Sequence, residues 1–201
     1  FIGLFFISLI VLNAQSKVTI VPEPQHYNFL ETRFILDNKP IAVNLYIEDN
    51  KPLSNLTNDL IDILKKRNLE IKKNALSEKI IHIGIPSLDK TFSKLCTSAG
   101  LEIDNSIPTD GYQLQIKNDM ILIAANNPKG LFYGIQSLKQ IINGSENNYL
   151  QGIEIKDYPS FILRGIMDDI SRGPIPTMDF MKSQIRKFSE MKINFMMHYI
   201  E

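Results

Sequence analysis

From residue 161 onward the chain reads as strand, polar loop, helix and strand, and that run constrains its fold more than any other feature. Residues 162–167 are spaced as a strand, and 168–176 form a polar loop containing Gly173, Pro174 and Pro176. Residues 177–191 carry helical spacing, with Thr177 placed to cap the helix and Met181, Ile185 and Phe188 as its expected buried stripe. The mostly apolar run Lys192 to Glu201, KINFMMHYIE, predicts a second and buried strand. Strands joined through a helix pair in parallel, so the run is one repeat of a parallel α/β architecture.

The chain before residue 158 follows a different pattern. Residues 18–21 are a short strand candidate, followed by an extended Pro22-Glu23-Pro24. Residues 52–67 read as an amphipathic helix with Leu53, Leu56, Leu60 and Leu64 on one face. Its end carries Lys65, Lys66 and Arg67, which suit the negative end of the helix dipole and read as a solvated terminus rather than a polyanion patch. Residues 79–85 form a strand, and 92–99 a short helix closed by Gly100. Residues 112–116 and 120–124 form a hairpin through Lys117-Asn118-Asp119. Pro128 opens a helix to Ile142, closed by Asn143-Gly144, with Leu131, Ile135, Leu138 and Ile142 buried. Gly130 and Gly134, one turn apart, let that helix approach a sheet closely. A strand at 150–155 precedes Asp157-Tyr158-Pro159-Ser160, a boundary signal. Strands mixed with long helices predict an α+β sandwich over residues 17–158.

Composition narrows the function. With 22 basic and 22 acidic residues the formal charge is zero, which argues against a protein built to hold nucleic acid or an anionic membrane. One cysteine excludes an intrachain disulfide and any multi-thiolate metal site. Residues 1–15, FIGLFFISLIVLNAQ, form an uncharged apolar run before small and polar residues, the pattern of a secretory signal peptide. The run is short for a membrane span, the alternative being an amino-terminal anchor; no span is expected after its removal. The expected organisation is a signal peptide at 1–15, an α+β domain at 17–158 and an incomplete α/β unit at 159–201. A complete barrel needs roughly 250 residues, so the chain is expected to be a fragment of a longer exported protein.

Phosphate-binding loops, nucleophile elbows and H-E-x-x-H helices are absent from the sequence. His26, His82 and His198 are scattered; His82 lies between isoleucines and reads as a packed histidine, and Cys96 as a structural thiol. One constellation carries chemistry: Arg164-Gly165-Ile166-Met167-Asp168-Asp169-Ile170-Ser171-Arg172 places two carboxylates and a guanidinium at the carboxyl end of the first α/β strand, where parallel barrels build their sites. Strand alternation sends Asp168 and Asp169 to opposite sides. Arg172 could make a bidentate contact to vicinal hydroxyls or a carboxylate, or serve a structural ion pair that ties the loop down.

The run Arg164 to Arg172, followed by a helix and Lys192-Ile193-Asn194, resembles the start of the catalytic barrel of family 20 glycoside hydrolases, the β-N-acetylhexosaminidases. Upstream, Val21-Pro22-Glu23-Pro24-Gln25, Asp110-Gly111-Tyr112, Ala124-Ala125-Asn126 and Gly130 to Leu138 resemble that family's accessory domain. The resemblance implies a zincin-like α+β accessory domain followed by the first βαβ unit of a truncated (β/α)8 TIM barrel. It implies that Arg172 binds hydroxyls of a terminal N-acetylhexosamine, that Asp169 supports the site, and that neither cofactor nor metal is required. It further implies substrate-assisted retaining catalysis by an Asp-Glu pair lying beyond Glu201, so this chain holds no catalytic residue and is expected to be inactive alone. Two departures from the family pattern, Gly173 after Arg172 and Met197-His198-Tyr199 in the second strand, point to a divergent branch. Alternatives are another barrel glycosidase with a similar front domain, of α-glucuronidase or family 84 type, or a non-catalytic carbohydrate-binding relative.

Overall fold

A computed structural model describes residues 19–47, 50–101, 107–171 and 173–200; the proposed signal peptide and Arg172 lie outside them. In chain order the elements are β1 (His26–Ile35), β2 (Ile41–Tyr46), α1 (Lys51–Lys65), β3 (Ile71–Lys73), β4 (Lys79–Gly84), α2 (Lys90–Ser98), β5 (Tyr112–Ile116), β6 (Met120–Ala125), α3 (Pro128–Gly144), β7 (Tyr149–Asp157), β8 (Gly165–Asp169), α4 (Met178–Glu190) and β9 (Phe195–Tyr199). The first seven strands form one sheet in the order β1-β7-β5-β6-β4-β2-β3, and β8 and β9 form a separate parallel pair.

The large sheet is mixed because its connections are mixed. The short turn after β5 gives an antiparallel hairpin with β6, whereas the helical crossovers through α1 and α2 leave β2, β4 and β6 parallel. β1 closes the far edge by pairing antiparallel with β7. The side-chain period of two then divides β6. Ile121, Ile123 and Ala125 join the main core with the buried stripes of α1 and α3, while Leu122 and Ala124 pack with Phe92 and Cys96 of α2 and with Leu101. Helices thus cover both faces of the sheet.

Each helix begins where a side chain can cap it. Asn50, Asp89, Asn127 and Thr177 accept hydrogen bonds from the backbone N–H of Leu53, Phe92, Gly130 and Phe180, and proline follows within two residues of Asn50 and Asn127. The glycines of α3 do what their spacing predicts. A Cβ on Gly130 would sit 2.2 Å from the Gly111 carbonyl oxygen, and one on Gly134 would sit 2.6 Å from Ile123 Cγ2.

Several expected boundaries move. Residues 19–22 are irregular rather than a strand, and β8 begins at Gly165, not Ile162. Ile162 and Leu163 are instead exposed, with Asn194 Nδ2 donating to the Ile162 carbonyl. The stripe expected to be buried on α4 is only half-buried at Met181 and Phe188 and is 54% exposed at Ile185. The strand expected to be buried, β9, alternates exposed and half-buried positions. Both follow from one cause: a two-stranded sheet is too narrow to cover a helix, and α4 covers only one of its faces.

His82, buried in β4, has its Nδ1 3.0 Å from the Tyr46 hydroxyl, and Tyr46 stacks on Phe92. Burial lowers its pKa to about 4. The unfolded chain takes up this proton near pH 6.5 and the folded chain only near 4, so the contribution is complete above pH 6.5 and lost as the pH falls toward 4. Urea unfolding is expected to show up to about 3 kcal/mol less stability at pH 4 than at pH 7 from this residue, and His82→Asn to flatten that slope. Gly130→Ala is expected to cost about 1–3 kcal/mol in the same measurement, because the obstructing atom is backbone.

Candidate functional site

The site predicted from the sequence lies at the carboxyl end of β8. β8 pairs in parallel with β9, setting Asp168 opposite His198 and Asp169 opposite Tyr199. The backbone N–H of Ile170 continues the ladder to the Tyr199 carbonyl at 3.1 Å. Alternation separates the neighbouring carboxylates as predicted. Asp168 shares the half-buried side of the pair with Ile166, Met196 and His198, and His198 and Met196 line a shallow cavity with Ile185 and Phe188 of α4. Asp169 shares the opposite, exposed side with Gly165, Met167, Phe195, Met197 and Tyr199. A Cβ at Gly165 would lie 2.8 Å from Phe195 Cδ1, so a larger residue there would push that ring aside.

Asp169 is held as an acceptor. Its Oδ1 takes the Ser171 hydroxyl hydrogen bond and the Ser171 backbone N–H, the latter at 2.9 Å. The hydroxyl contact first, and the amide second, hold this carboxyl below the usual aspartate range. Such a group stays ionised at neutral pH and suits a contact to hydroxyls better than proton donation. Asp168 Oδ2 lies 3.9 Å from His198 Nδ1, on the helix side.

The amino ends of the same strands perform a different task, whose residues the sequence showed without their role. Arg164 donates Nε to the Lys192 carbonyl at 2.9 Å and Nη1 to the Phe161 carbonyl at 2.6 Å, and its guanidinium lies 5.0 Å from the centre of the Tyr133 ring. The Arg164 backbone N–H donates to Asn194 Oδ1 at 2.9 Å. Lys192, in a left-handed conformation at φ 60°, turns its side chain into the large α/β layer. Its Nζ donates to Asp157 Oδ2 at 2.8 Å and to the Tyr112 hydroxyl at 3.1 Å. Tyr112 in turn donates to Asp157 Oδ2 at 2.9 Å and lies 2.5 Å from Ser137 Oγ. Tyr112, Asp157 and Lys192 are all buried. Burial lowers the lysine pKa against the pull of Asp157, and burial together with the Asp157 charge raises that of the tyrosine well above its usual value. Beside this cluster lies a mostly apolar cavity of about 210 Å³, walled by Tyr133, Tyr158, Phe161 and Arg164.

Cys96 is packed rather than poised. Burial pushes the Cys96 thiol up to about 11, which keeps it protonated. Among the described residues, no group of three or more His, Cys, Asp or Glu side chains is placed to hold a metal ion.

A family model described as glycosyl hydrolase family 20, domain 2, matches residues 17–158. A β-hexosaminidase of Porphyromonas gingivalis is 28% identical over 188 residues, covering 88% of this chain but 22% of its own length, so the chain spans about a fifth of that relative. CpGH84D has a similar fold, with a TM-score of 0.79 at 23% identity over 92% of this chain and 31% of its own. A GH20 exo β-N-acetylglucosaminidase from Vibrio harveyi, solved in complex with N-acetylglucosamine, gives a TM-score of 0.66 at 19% identity over 90% of this chain and 25% of its own.

The buried lysine makes a direct prediction. Lys192→Met strands the Asp157 carboxylate and is expected to cost about 3–5 kcal/mol in chemical unfolding. Adding Asp157→Leu to that variant is expected to recover a substantial part, because the uncompensated charge leaves with it.

Proposed function

The chain belongs to glycosyl hydrolase family 20 through that family's second domain, and from this premise we propose that it is the amino-terminal part of an exo-acting glycosidase releasing terminal N-acetylhexosamine from glycans. The carrying observation is Asp169, an ionised acceptor at the carboxyl end of a parallel strand, on the side turned away from α4. In a (β/α)8 barrel the helices form the outer ring and sites gather at the carboxyl ends of the strands, so that side faces the barrel axis. Residues 17–158 are then the accessory domain and residues 159–201 the first βαβ unit of the barrel.

In this reading Arg172 grips the hydroxyls of the terminal sugar and Asp169 supports the mouth beside it. The acetamido oxygen of the substrate attacks its own anomeric carbon as the glycosidic bond breaks, and a general acid protonates the departing oxygen. Water then opens the cyclic intermediate with retention of configuration. The Asp-Glu pair that orients the acetamido group and supplies the proton belongs to a later strand of the barrel, so this chain binds but does not itself catalyse. The apolar run at residues 1–15 supports action outside the cytoplasm.

The test is hydrolysis of 4-nitrophenyl N-acetyl-β-glucosaminide by the full-length protein. Arg172→Ala is expected to lower kcat/KM by about 10²-fold and Asp169→Asn by about tenfold, through loss of charge-assisted hydrogen bonds to the sugar. Unchanged kcat/KM in both variants overturns the assignment of these residues. Sugar binding without any hydrolysis would favour a non-catalytic relative.

A further inference from the structure

Between α1, α3 and α4 lies a cleft of about 230 Å³ that the proposed reaction does not use. Its walls combine one aromatic ring, Phe132, with the polar side chains of Asn55, Asp59, Gln136, Arg186 and Glu190. Phe132 and Gln136 stand four residues apart on α3 and so share one helix face. The charges come in both signs: Asp59 and Glu190 against Lys139 and Arg186, with Lys139 Nζ 3.9 Å from Asp59 Oδ2. A cleft so balanced offers neither an anion nor a cation a field to bind in.

Gln136 supplies the second observation. It is 2% exposed, donates Nε2 to Ser189 Oγ at 2.9 Å, and leaves Oε1 without a partner among the described residues. A buried amide oxygen with no donor calls for an explanation, and a hydroxyl group in the cleft would provide one once Gln136 turns its amide outward from Ser189. Across Asp59, Lys139, Arg186 and Glu190 the cleft continues into a wider depression of about 550 Å³, which runs to Asp62, Lys66 and Arg67.

We propose that this groove binds a neutral saccharide. A sugar ring has an apolar C–H face that lies against an aromatic ring and a rim of hydroxyls that both donate and accept. One ring against Phe132 would meet the Gln136 carbonyl, the Asp59 and Glu190 carboxylates as acceptors, and the Arg186 guanidinium as a bidentate donor. A second sugar would occupy the outer depression. The groove lies on the α4 side of the β8–β9 pair and Asp169 on the other, so the two sites are separate. The groove does not depend on the hydrolase reading.

The test is titration of the ¹⁵N-labelled chain with N,N′-diacetylchitobiose, followed by amide chemical shifts. Saturable shifts are expected at Phe132, Gln136, Arg186 and Ser189. Phe132→Ala is expected to weaken binding about tenfold. Arg186→Ala, on the exposed side of α4, is expected to do the same without touching the core. Arg172→Ala is expected to leave these shifts unchanged. Loss of the shifts in Arg172→Ala would place the sugar at the barrel mouth and overturn the groove while leaving the proposed function intact. Absence of shifts up to ~20 mM disaccharide, wild-type affinity in both groove variants, or the same shifts produced by inorganic phosphate would each overturn it.

Discussion

The two parts of this chain are joined by a buried charge. Lys192 leaves the turn between α4 and β9 and ends against Asp157 and the Tyr112 hydroxyl, inside the larger layer. Removing a lysine and a carboxylate from water is costly, and their attraction offsets that cost only when the remaining lone pairs are satisfied. Here they are: Asp157 Oδ2 accepts from Lys192 and Tyr112, Oδ1 accepts from the Gln25 backbone, and Tyr112 reaches Ser137. A hydrophobic contact tolerates sliding, whereas this arrangement has one geometry. It therefore fixes where β9 starts, and through the parallel ladder where Asp169 ends.

The two ends of the β8–β9 pair divide the labour accordingly. At the amino ends Arg164, Lys192 and Asn194 bond mostly to backbone carbonyls and to the neighbouring layer. At the carboxyl ends Asp169 is exposed, and among the described residues its carboxylate is held by Ser171. Fixed hydrogen bonds at one end and an accessible acceptor at the other fit the sugar-holding role proposed for this strand.

Much of this was legible in the sequence where local chemistry decides it. The leucine stripe of α1, the stripe of α3, the β5–β6 hairpin and the close approach at Gly130 follow from spacing alone, and so does the separation of Asp168 from Asp169. β1, β2 and β3 are not legible in the sequence: β1 mixes polar and apolar residues as an edge strand does, β2 is a short run interrupted by Asn44, and β3 has only three residues. The role of Lys192 was invisible for a different reason. Nothing between Met191 and Ile193 marks a buried cation, and its partners Tyr112 and Asp157 are brought near only by the fold. The apolar stripe of α4 is more exposed than its periodicity predicts, because periodicity reveals which face is apolar but not how wide a surface waits to receive it.

The pairing of β1 with β7 has a consequence for how the chain is made. His26 finds its register against Lys156, so β1 stays without its neighbour until the rest of the layer has been synthesised. Loop closure over such a span is slow, and during that wait β1 is open to pairing with other chains. β7 precedes Lys192 in the chain, so the larger layer can close around β1 before the latch that fastens the next unit to it has emerged.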